Sequence, residues 1–194
     1  SGPARIVSLS QNPHRRNLTL GQGQGNGQPT KYDVRLRTTD TSDNGKPSLS
    51  TPAGTVVTEL THVVYTRNSA GVARVYVDSV EVASKAIGGD LWNWATDYRL
   101  VLANEMTQDR PWLGELHLVA IYNRASKSEE VMQNREVGPE TAGHFGPKAQ
   151  STLTGTPMMA AEESRDILPR VSVNVGYLSV MVVVGLVLAK KEIG

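Results

Sequence analysis

Three tryptophans and two charged residues carry the side chains best suited to hold a ligand. Trp92, Trp94 and Trp112 lie in or beside loops, near Glu105 and Arg110. An exposed indole stacks on a sugar ring, and carboxylate or guanidinium groups beside it bind the hydroxyls. These five residues are the predicted ligand-binding set. The alternative is that the indoles only pack inside the fold, because tryptophan is highly buried on average and the chain has one Phe.

Groups for catalysis or for a transition metal show no useful spacing. The chain has four histidines, His14, His62, His117 and His144. They form no His-x-x-x-His pair, and the sequence has no Gly-x-Ser-x-Gly elbow. There is no cysteine, which excludes disulfides and thiolate metal sites, and the formal charge of +1 gives no basic footprint for nucleic acid. We therefore expect a protein that is not an enzyme and does not bind nucleic acid.

The predicted ligand-binding residues depend for their position on a strand, loop and strand at residues 98–125. In the first strand, Tyr98, Leu100 and Leu102 alternate with the residues between them, which is typical of a half-buried strand. In the second, one face is predicted to carry Leu116, Leu118, Ala120 and Tyr122, and the other Glu115, His117, Val119 and Ile121. Two largely apolar faces are expected where a strand is covered on both sides.

Shorter strands are predicted at regular spacing before this unit. Residues 5–10, 55–58 and 61–66 have strand character, and residues 73–77 pair with 80–84 through the turn at Asp78 and Ser79. Tyr32, Val34 and Leu36 alternate with Asp33, Arg35 and Arg37, so that strand is predicted to have one wet face. Such a meander is typical of an all-β, antiparallel two-sheet sandwich.

Two motifs carry a resemblance to a known family. The run WLGELHLVAIYNRA at residues 112–125, followed by Glu129, Glu130 and Val131, resembles the closing signature of laminin G-like, concanavalin A-like jelly rolls. The run VARVYVDSVEVA at residues 72–83 resembles the Tyr-Val-Asp-Gly hairpin of the same family. The resemblance covers roughly the first two-thirds of the chain and implies a jelly roll that binds glycan or protein. Because it begins at a strand that normally follows others, we expect a processed chain or a fragment.

The chain departs from the family pattern at two positions. Ser79 replaces the turn glycine, which loses freedom for positive φ, and His117 replaces an acidic residue of the late strand. Some concanavalin A-like enzymes carry paired carboxylates at Glu-x-Asp-x-Glu spacing, and this sequence has no such pattern.

The loop with Asp40, Asp43 and Asn44 is a candidate calcium site. The resemblance implies that oxygen-rich loops at the rim can bind calcium, which prefers carboxylate and carbonyl oxygens. A plain turn is the alternative, because Asp-Asn-Gly is above all a turn signal.

The chain divides into a sandwich at residues 1–132, a linker or interaction arm at 133–170 and a hydrophobic tail at 171–191. The arm is rich in turn formers, with a helical turn predicted at residues 158–166. Residues 171–189 contain no charge and are followed by Lys190 and Lys191. As a helix they would span about 28 Å and reach across a membrane, which their unbroken length favours. Their valines and the glycines at 176 and 185 favour instead an extra strand of the sandwich.

Two functions from different classes follow. The first is a non-catalytic binding or adhesion module outside the cytoplasm, in the periplasm or at the cell surface, that recognises glycan or protein through rim loops. The second is a membrane-anchored accessory or structural subunit of a larger assembly. A weaker third is a hydrolase fragment whose catalytic strand lies outside this chain.

Overall fold

The protein is a jelly-roll sandwich of two antiparallel sheets with one short helix, seen in a computed structural model that describes residues 3–23, 29–142, 159–160 and 178–186. Sheet A contains, in spatial order, β4 (Leu49–Ser50), β3 (Tyr32–Leu36), β2 (Arg15–Gln22), β1 (Ala4–Asn12) and β8 (Arg99–Leu102). Sheet B contains β10 (Met159–Ala160), β9 (Gly114–Tyr122), β11 (Leu178–Leu186), β5 (Thr61–Arg67), β6 (Val72–Val77) and β7 (Val80–Ala86). This confirms the predicted fold class.

The core lies between the two sheets, where alternate side chains of each strand meet. Sheet A contributes residues such as Leu18, Leu20 and Val34, and sheet B contributes Val63 and Val75. All five are at most 1% exposed. Burial of this apolar surface, at roughly 25 cal/mol per Å² of area removed from water, is what holds the sheets together.

Strand β9 departs from its predicted alternation because it contains a bulge. Val183 of β11 pairs with Leu118 and Val184 pairs with Leu116, so His117 is an extra residue on β9. The bulge turns Leu116 toward the core with Val119. Leu118 instead packs in a second apolar cluster with Ala120 and Tyr122. The prediction that Leu116 shares a face with Leu118 is therefore wrong, since one inserted residue reverses the alternation of the strand.

The charged residues of β3 predict that its second face is exposed to water, but this face is buried. Asp33 is fully buried and the Arg35 side chain is 11% exposed. The two form an ion pair with 3.1 Å between Nε and Oδ2, and Ser50 donates a hydrogen bond to the same carboxylate. A buried charge is tolerated when it is paired and hydrogen-bonded in this way.

The hairpin of β6 and β7 forms as predicted, but residues 55–58 do not form a strand. Val77 pairs with Val80 across a turn in which Asp78 and Ser79 both have positive φ, 49° and 71°. Residues 55–58 belong instead to the irregular connection into β5, where the Thr55 hydroxyl donates a hydrogen bond to the Pro52 carbonyl.

The hydrophobic tail contributes a central strand of sheet B. β11 pairs with β5 from Leu178 to Val184 on one side and with β9 from Ser179 to Leu186 on the other. Residues 178–186 therefore form the strand that the valines and glycines favoured, and not the membrane helix that the uncharged length favoured. The remaining tail residues lie outside the described part of the chain, and within that part no helix has the length and apolar character to span a membrane.

Helix α1 (Ser128–Ala142) packs on the face of sheet B that points away from the core. Its Val131 is fully buried against Tyr76 and Tyr122 in the second apolar cluster. Glu130 fixes the start of the helix, because its carboxylate accepts hydrogen bonds from the Lys127 amide and the Arg124 guanidinium at 2.8 Å. The helix ends beyond a kink at Gly138, whose φ is 70°.

The division of the chain at residue 132 stays a prediction. Helix α1 runs across this boundary, so the first residues of the predicted arm are helical. Within the predicted helical turn at 158–166, residues 159–160 form β10, which pairs with Ile121 and Ala120 of β9. The rest of the arm lies outside the described residues.

Candidate functional site

The loop at residues 87–98 forms one rim of the sandwich and is held by a buried arginine. Arg67, at the end of β5, is 1% exposed. Its Nε donates to the Ile87 carbonyl at 2.9 Å and its Nη2 to the Gly89 carbonyl. Leu91 is in the core. The first half of the loop is therefore fixed to the sandwich by both polar and apolar contacts.

The second half of the same loop is fixed to the ends of β2 and β3. Trp94 Nε1 donates to the Arg37 carbonyl at 2.7 Å, and its ring is partly buried against the core. The Asn17 side chain accepts from the Ala95 amide and donates to the Ala95 carbonyl, at 3.0 and 2.8 Å. The loop thus has a defined conformation on both sides of Trp92.

Trp92 is the one predicted tryptophan that faces solvent. It is 78% exposed, the highest value among the exposed large apolar residues of the described chain. Asp90, two residues before Trp92, is exposed, and Asn93, which follows Trp92, is partly buried with its side-chain oxygen inside the protein. An exposed aromatic side chain on a fixed loop offers contact area at little entropic cost, which is typical of a recognition surface.

The other predicted ligand-binding residues do not share that surface. Trp112 is 5% exposed and belongs to the core, and Glu105 is fully buried. The Arg110 side chain is 18% exposed and lies 3.8 Å from the Asp109 carboxylate. Trp94 anchors its loop, so the packing alternative describes Trp94 and Trp112 better than an exposed platform does.

Two of the three residues of the candidate calcium site, Asp43 and Asn44, are engaged by arginines. Asp43 forms an ion pair with Arg37 at 3.0 Å, and the side-chain oxygen Oδ1 of Asn44 accepts from Arg35 Nη1 at 2.9 Å. Asp40 is exposed and lies against Gly88. Among the described residues, no three His, Cys, Asp or Glu side chains converge as metal ligands. Calcium binding stays a prediction, and it would require these oxygens to leave their arginine partners.

A group of charged and hydroxyl side chains, which we call the Glu105 cluster, lies on the face of sheet A that points away from the core. It consists of Arg5, Ser8, Ser10, Arg16 and Glu105. Ser8 and Ser10 alternate with core residues of β1, and both hydroxyls donate to Glu105 Oε1, Ser8 at 2.8 Å. Glu105 Oε2 lies 3.7 Å from Arg5 Nε and 3.8 Å from Arg16 Nη2. The carboxylate therefore joins β1 and β2 to the loop that connects β8 to β9.

Burial dominates the electrostatics of the two arginines in the Glu105 cluster. It lowers the pKa of Arg5 to about 10, with the neighbouring charge of Arg35 acting in the same direction. It lowers the pKa of Arg16 to about 9, and the charge of Arg5 lowers it further. Glu105 opposes both effects without cancelling them. The cluster is therefore a buried region with positive charge in excess.

Sheet B carries an open cleft on its outer side, beside the start of α1. Its volume is about 730 Å³. Arg74 and Glu81 form an ion pair in its wall with 3.3 Å between them, and the Tyr76 hydroxyl hydrogen-bonds Glu81. Residues 125–129 form the opposite wall. The volume is in the usual range for small-molecule sites, but its charges are balanced and its ion pair is already formed.

Arg5, Arg16 and Arg67 were not among the predicted functional residues. Ser8 and Ser10 alternate with Val7 and Leu9, which signals a polar second face of β1. The partner of that face, Glu105, is 95 residues from Ser10 in sequence, and no local pattern connects them.

Comparison with known proteins places this geometry in a family. A laminin G family model, described as the concanavalin A-like lectin/glucanases superfamily, matches residues 2–132. Comparisons with curated proteins and with solved structures gave no match. The matched range contains strands β1 to β9, which form both sheets apart from β10 and β11. The chain therefore belongs to the concanavalin A-like lectin/glucanases superfamily.

Proposed function

We propose that this protein is a non-catalytic module that binds carbohydrate by stacking a sugar ring on Trp92. The observation that carries the proposal is a 78% exposed indole on a loop that is fixed on both sides. A rigid aromatic ring on a fixed loop gives a ligand a large amphipathic contact area at low conformational-entropy cost.

The polar surroundings of Trp92 support a sugar as the ligand. Asp90, two residues from Trp92 in sequence, is exposed and can accept hydrogen bonds from sugar hydroxyls, and the side-chain NH₂ of Asn93 can donate, although its oxygen is buried. The family description names lectins as well as glucanases, which places carbohydrate recognition among the activities of the superfamily. We propose a location outside the cytoplasm on the same family grounds.

The test is binding of the full chain to an array of neutral and acidic oligosaccharides, with the Trp92→Ala variant measured in parallel. We expect at least a tenfold loss of affinity for every sugar bound, because removing a central aromatic contact costs about 2 kcal/mol. Leu113→Ala is the matched control, since Leu113 is also exposed, at 66%. Equal binding by the Trp92→Ala variant and the parent chain would overturn the proposal.

The accessory-subunit alternative treats the sandwich as a spacer whose arm and tail dock into a larger assembly. It relied on buried tryptophans and on a tail that docks elsewhere. Trp112 is buried, but residues 178–186 pair within the protein's own sheet B. A chain that binds no sugar on the array, and that leaves a cellular protein complex when residues 133–194 are removed but not on Trp92→Ala substitution, would favour this alternative.

A further inference from the structure

Two fully buried arginines have guanidinium nitrogens that meet no acceptor. Arg5 is 1% exposed and Arg16 is 0% exposed. Arg5 Nε, Arg5 Nη1 and Arg16 Nε have no hydrogen-bond partner among the described residues. Buried donors are nearly always paired, so a group of three unpaired donors on two adjacent strands calls for an acceptor.

Glu105 lies between these arginines without satisfying them. Its Oε2 atom stays 3.7 Å from Arg5 Nε and 3.8 Å from Arg16 Nη2, and has no hydrogen-bond partner among the described residues. Good charge-assisted hydrogen bonds are about 1 Å shorter. The carboxylate is held instead through Oε1, by the hydroxyls of Ser8 and Ser10.

The charges at this place do not balance. Arg5 and Arg16 carry two positive charges and Glu105 one negative charge. The nearby Arg35 is already paired with Asp33 at 3.1 Å, and Arg110 lies 3.8 Å from Asp109. Among the residues that the structure describes, one buried positive charge is therefore left without a carboxylate of its own.

The loop that delivers Glu105 contains strained backbone and is tied to β1 by two backbone hydrogen bonds, from the Arg5 amide to the Arg110 carbonyl at 3.1 Å and from the Ala103 amide to the Ile6 carbonyl at 2.9 Å. Ala103 and Gln108 both have a φ of 57°, in the left-handed region that side chains other than glycine rarely adopt. The Trp112 amide donates to the Ala103 carbonyl at 2.9 Å and brings the two ends of the loop together. Residues 107–109 are exposed, so the buried carboxylate sits on a loop that is otherwise at the surface.

We infer that Arg5, Arg16, Ser8 and Ser10 form a binding site for a small carboxylate, in which Glu105 is a built-in occupant that a ligand displaces. Arg16 Nη1 and Nη2 already donate to the Thr19 hydroxyl and the Pro13 carbonyl, so the unpaired donors are Arg5 Nε, Arg5 Nη1 and Arg16 Nε. Glu105 Oε2 leaves these three donors unused. We expect a free carboxylate, which is not tied to the backbone, to approach the unpaired nitrogens of both arginines more closely than Glu105 Oε2 approaches Arg5 and Arg16. The ligand is either a free anion or the uronate group of a sugar. The site stands independently of Trp92.

The first experiment vacates the site in the full chain by Glu105→Ala. Thermal unfolding is followed in sodium acetate, sodium glucuronate and sodium chloride at equal ionic strength. We expect acetate or glucuronate to raise the midpoint of thermal unfolding of Glu105→Ala by about 3 °C or more above its value in sodium chloride, because the carboxylate replaces the missing group in the folded state only. The increase should level off at high carboxylate concentration. Asp109→Ala removes an exposed carboxylate of the same loop and should show no such difference. The same response in both variants would overturn the inference.

The second experiment uses the unaltered protein and so does not depend on the folding of a variant. Hydrogen exchange of the backbone amides at residues 105–110 is measured with glucuronate, with its neutral methyl ester and with acetate. Displacement of Glu105 breaks its contact with the Met106 amide and frees the loop, so exchange should become faster with a carboxylate and not with the ester. A response to both carboxylates indicates a free-anion site, and a response to glucuronate alone indicates an acidic sugar. Unchanged exchange with all three compounds would overturn the inference.

Discussion

At the scale of single residues, the turn between β6 and β7 holds two side chains in a strained conformation. Asp78 and Ser79 have φ values of 49° and 71°, and glycine adopts such angles at no steric cost. The Asp78 carboxylate accepts a hydrogen bond from the His62 backbone amide at 3.1 Å, which stabilises the aspartate in this conformation. Among the described residues, the Ser79 hydroxyl donates one hydrogen bond, to the Val131 carbonyl at 3.4 Å. The departure from the family glycine therefore leaves strain at Ser79.

Replacement of this serine should stabilise the protein. We expect Ser79→Gly to raise the free energy of unfolding by about 0.5–1 kcal/mol, because the left-handed strain is removed. Urea unfolding of the two chains measures the difference. Ser84→Gly, in the extended part of β7, is the control and should lower stability. If Ser79→Gly lowers stability as much as Ser84→Gly does, strain at this turn is not significant.

His62 should make stability depend on pH. Burial lowers the pKa of His62 to about 4, although Asp78 acts in the opposite direction, and Arg135 lowers it further. The unfolded chain, with a pKa near 6.5, therefore binds the proton first as pH falls. The stabilising contribution is complete above about pH 6.5 and is lost as pH falls toward 4, by up to roughly 3 kcal/mol.

The measurement is urea unfolding between pH 4 and 7 for the parent chain and for His62→Gln. The substituted chain should lose most of the slope in this window, because glutamine does not titrate. Identical slopes in the two chains would show that other groups control the pH dependence.

At the scale of elements, alternation in the sequence predicted most strands but not their irregularities. The strands at residues 61–66 and 73–77 were found because β-branched residues and a two-residue turn give a local signal. The bulge at His117 was missed, since it depends on which residues of β11 lie opposite β9. The buried second face of β3 was missed for a similar reason. Asp33 and Arg35 look solvent-exposed until their partners Ser50 and Asn44 are known.

Arg67 is the side chain of β5 that holds the loop at residues 87–98 through hydrogen bonds. We expect Arg67→Met to keep the fold but to free the loop at residues 87–98, because the carbonyls of Ile87 and Gly89 lose their donor. Hydrogen exchange of that loop should become faster and sugar affinity should fall several-fold. Arg74→Met, at a partly exposed arginine of β6, is the control and should leave the loop unchanged. A protected loop in Arg67→Met would show that Leu91 and Trp94 suffice to hold it.

At the scale of the whole molecule, the sandwich is completed by residues far from the rest of sheet B in sequence. β11 lies between β5 and β9 and is hydrogen-bonded to both. The sequence of the tail is compatible with both a membrane helix and a strand, because an uncharged valine-rich run suits either environment. The gap it fills is set by two strands that begin at residues 61 and 114, which no local pattern reveals. The partners of Glu105 on β1 are also far from it in sequence, so no local pattern predicts their contact.

A chain that ends at Arg170 should therefore lose its cooperative unfolding. Removal of β11 leaves the facing edges of β5 and β9 unpaired in the middle of sheet B. Near-ultraviolet circular dichroism during heating compares this chain with the full one. A truncated chain that unfolds cooperatively at the same midpoint would mean that β11 is not needed by the sandwich.

The central claim, that Trp92 is the sugar-binding platform, is tested most directly by the three tryptophan indole N–H signals in a nitrogen-correlated NMR spectrum. The full chain is titrated with cellotriose, xylotriose and mannotriose, and Trp92→Ala assigns the signal of the exposed ring. We predict that a bound sugar shifts the Trp92 signal, while the signal of the buried Trp112 stays in place and that of Trp94, hydrogen-bonded to Arg37, moves little. A sugar that binds and leaves the Trp92 signal unchanged would contradict the account.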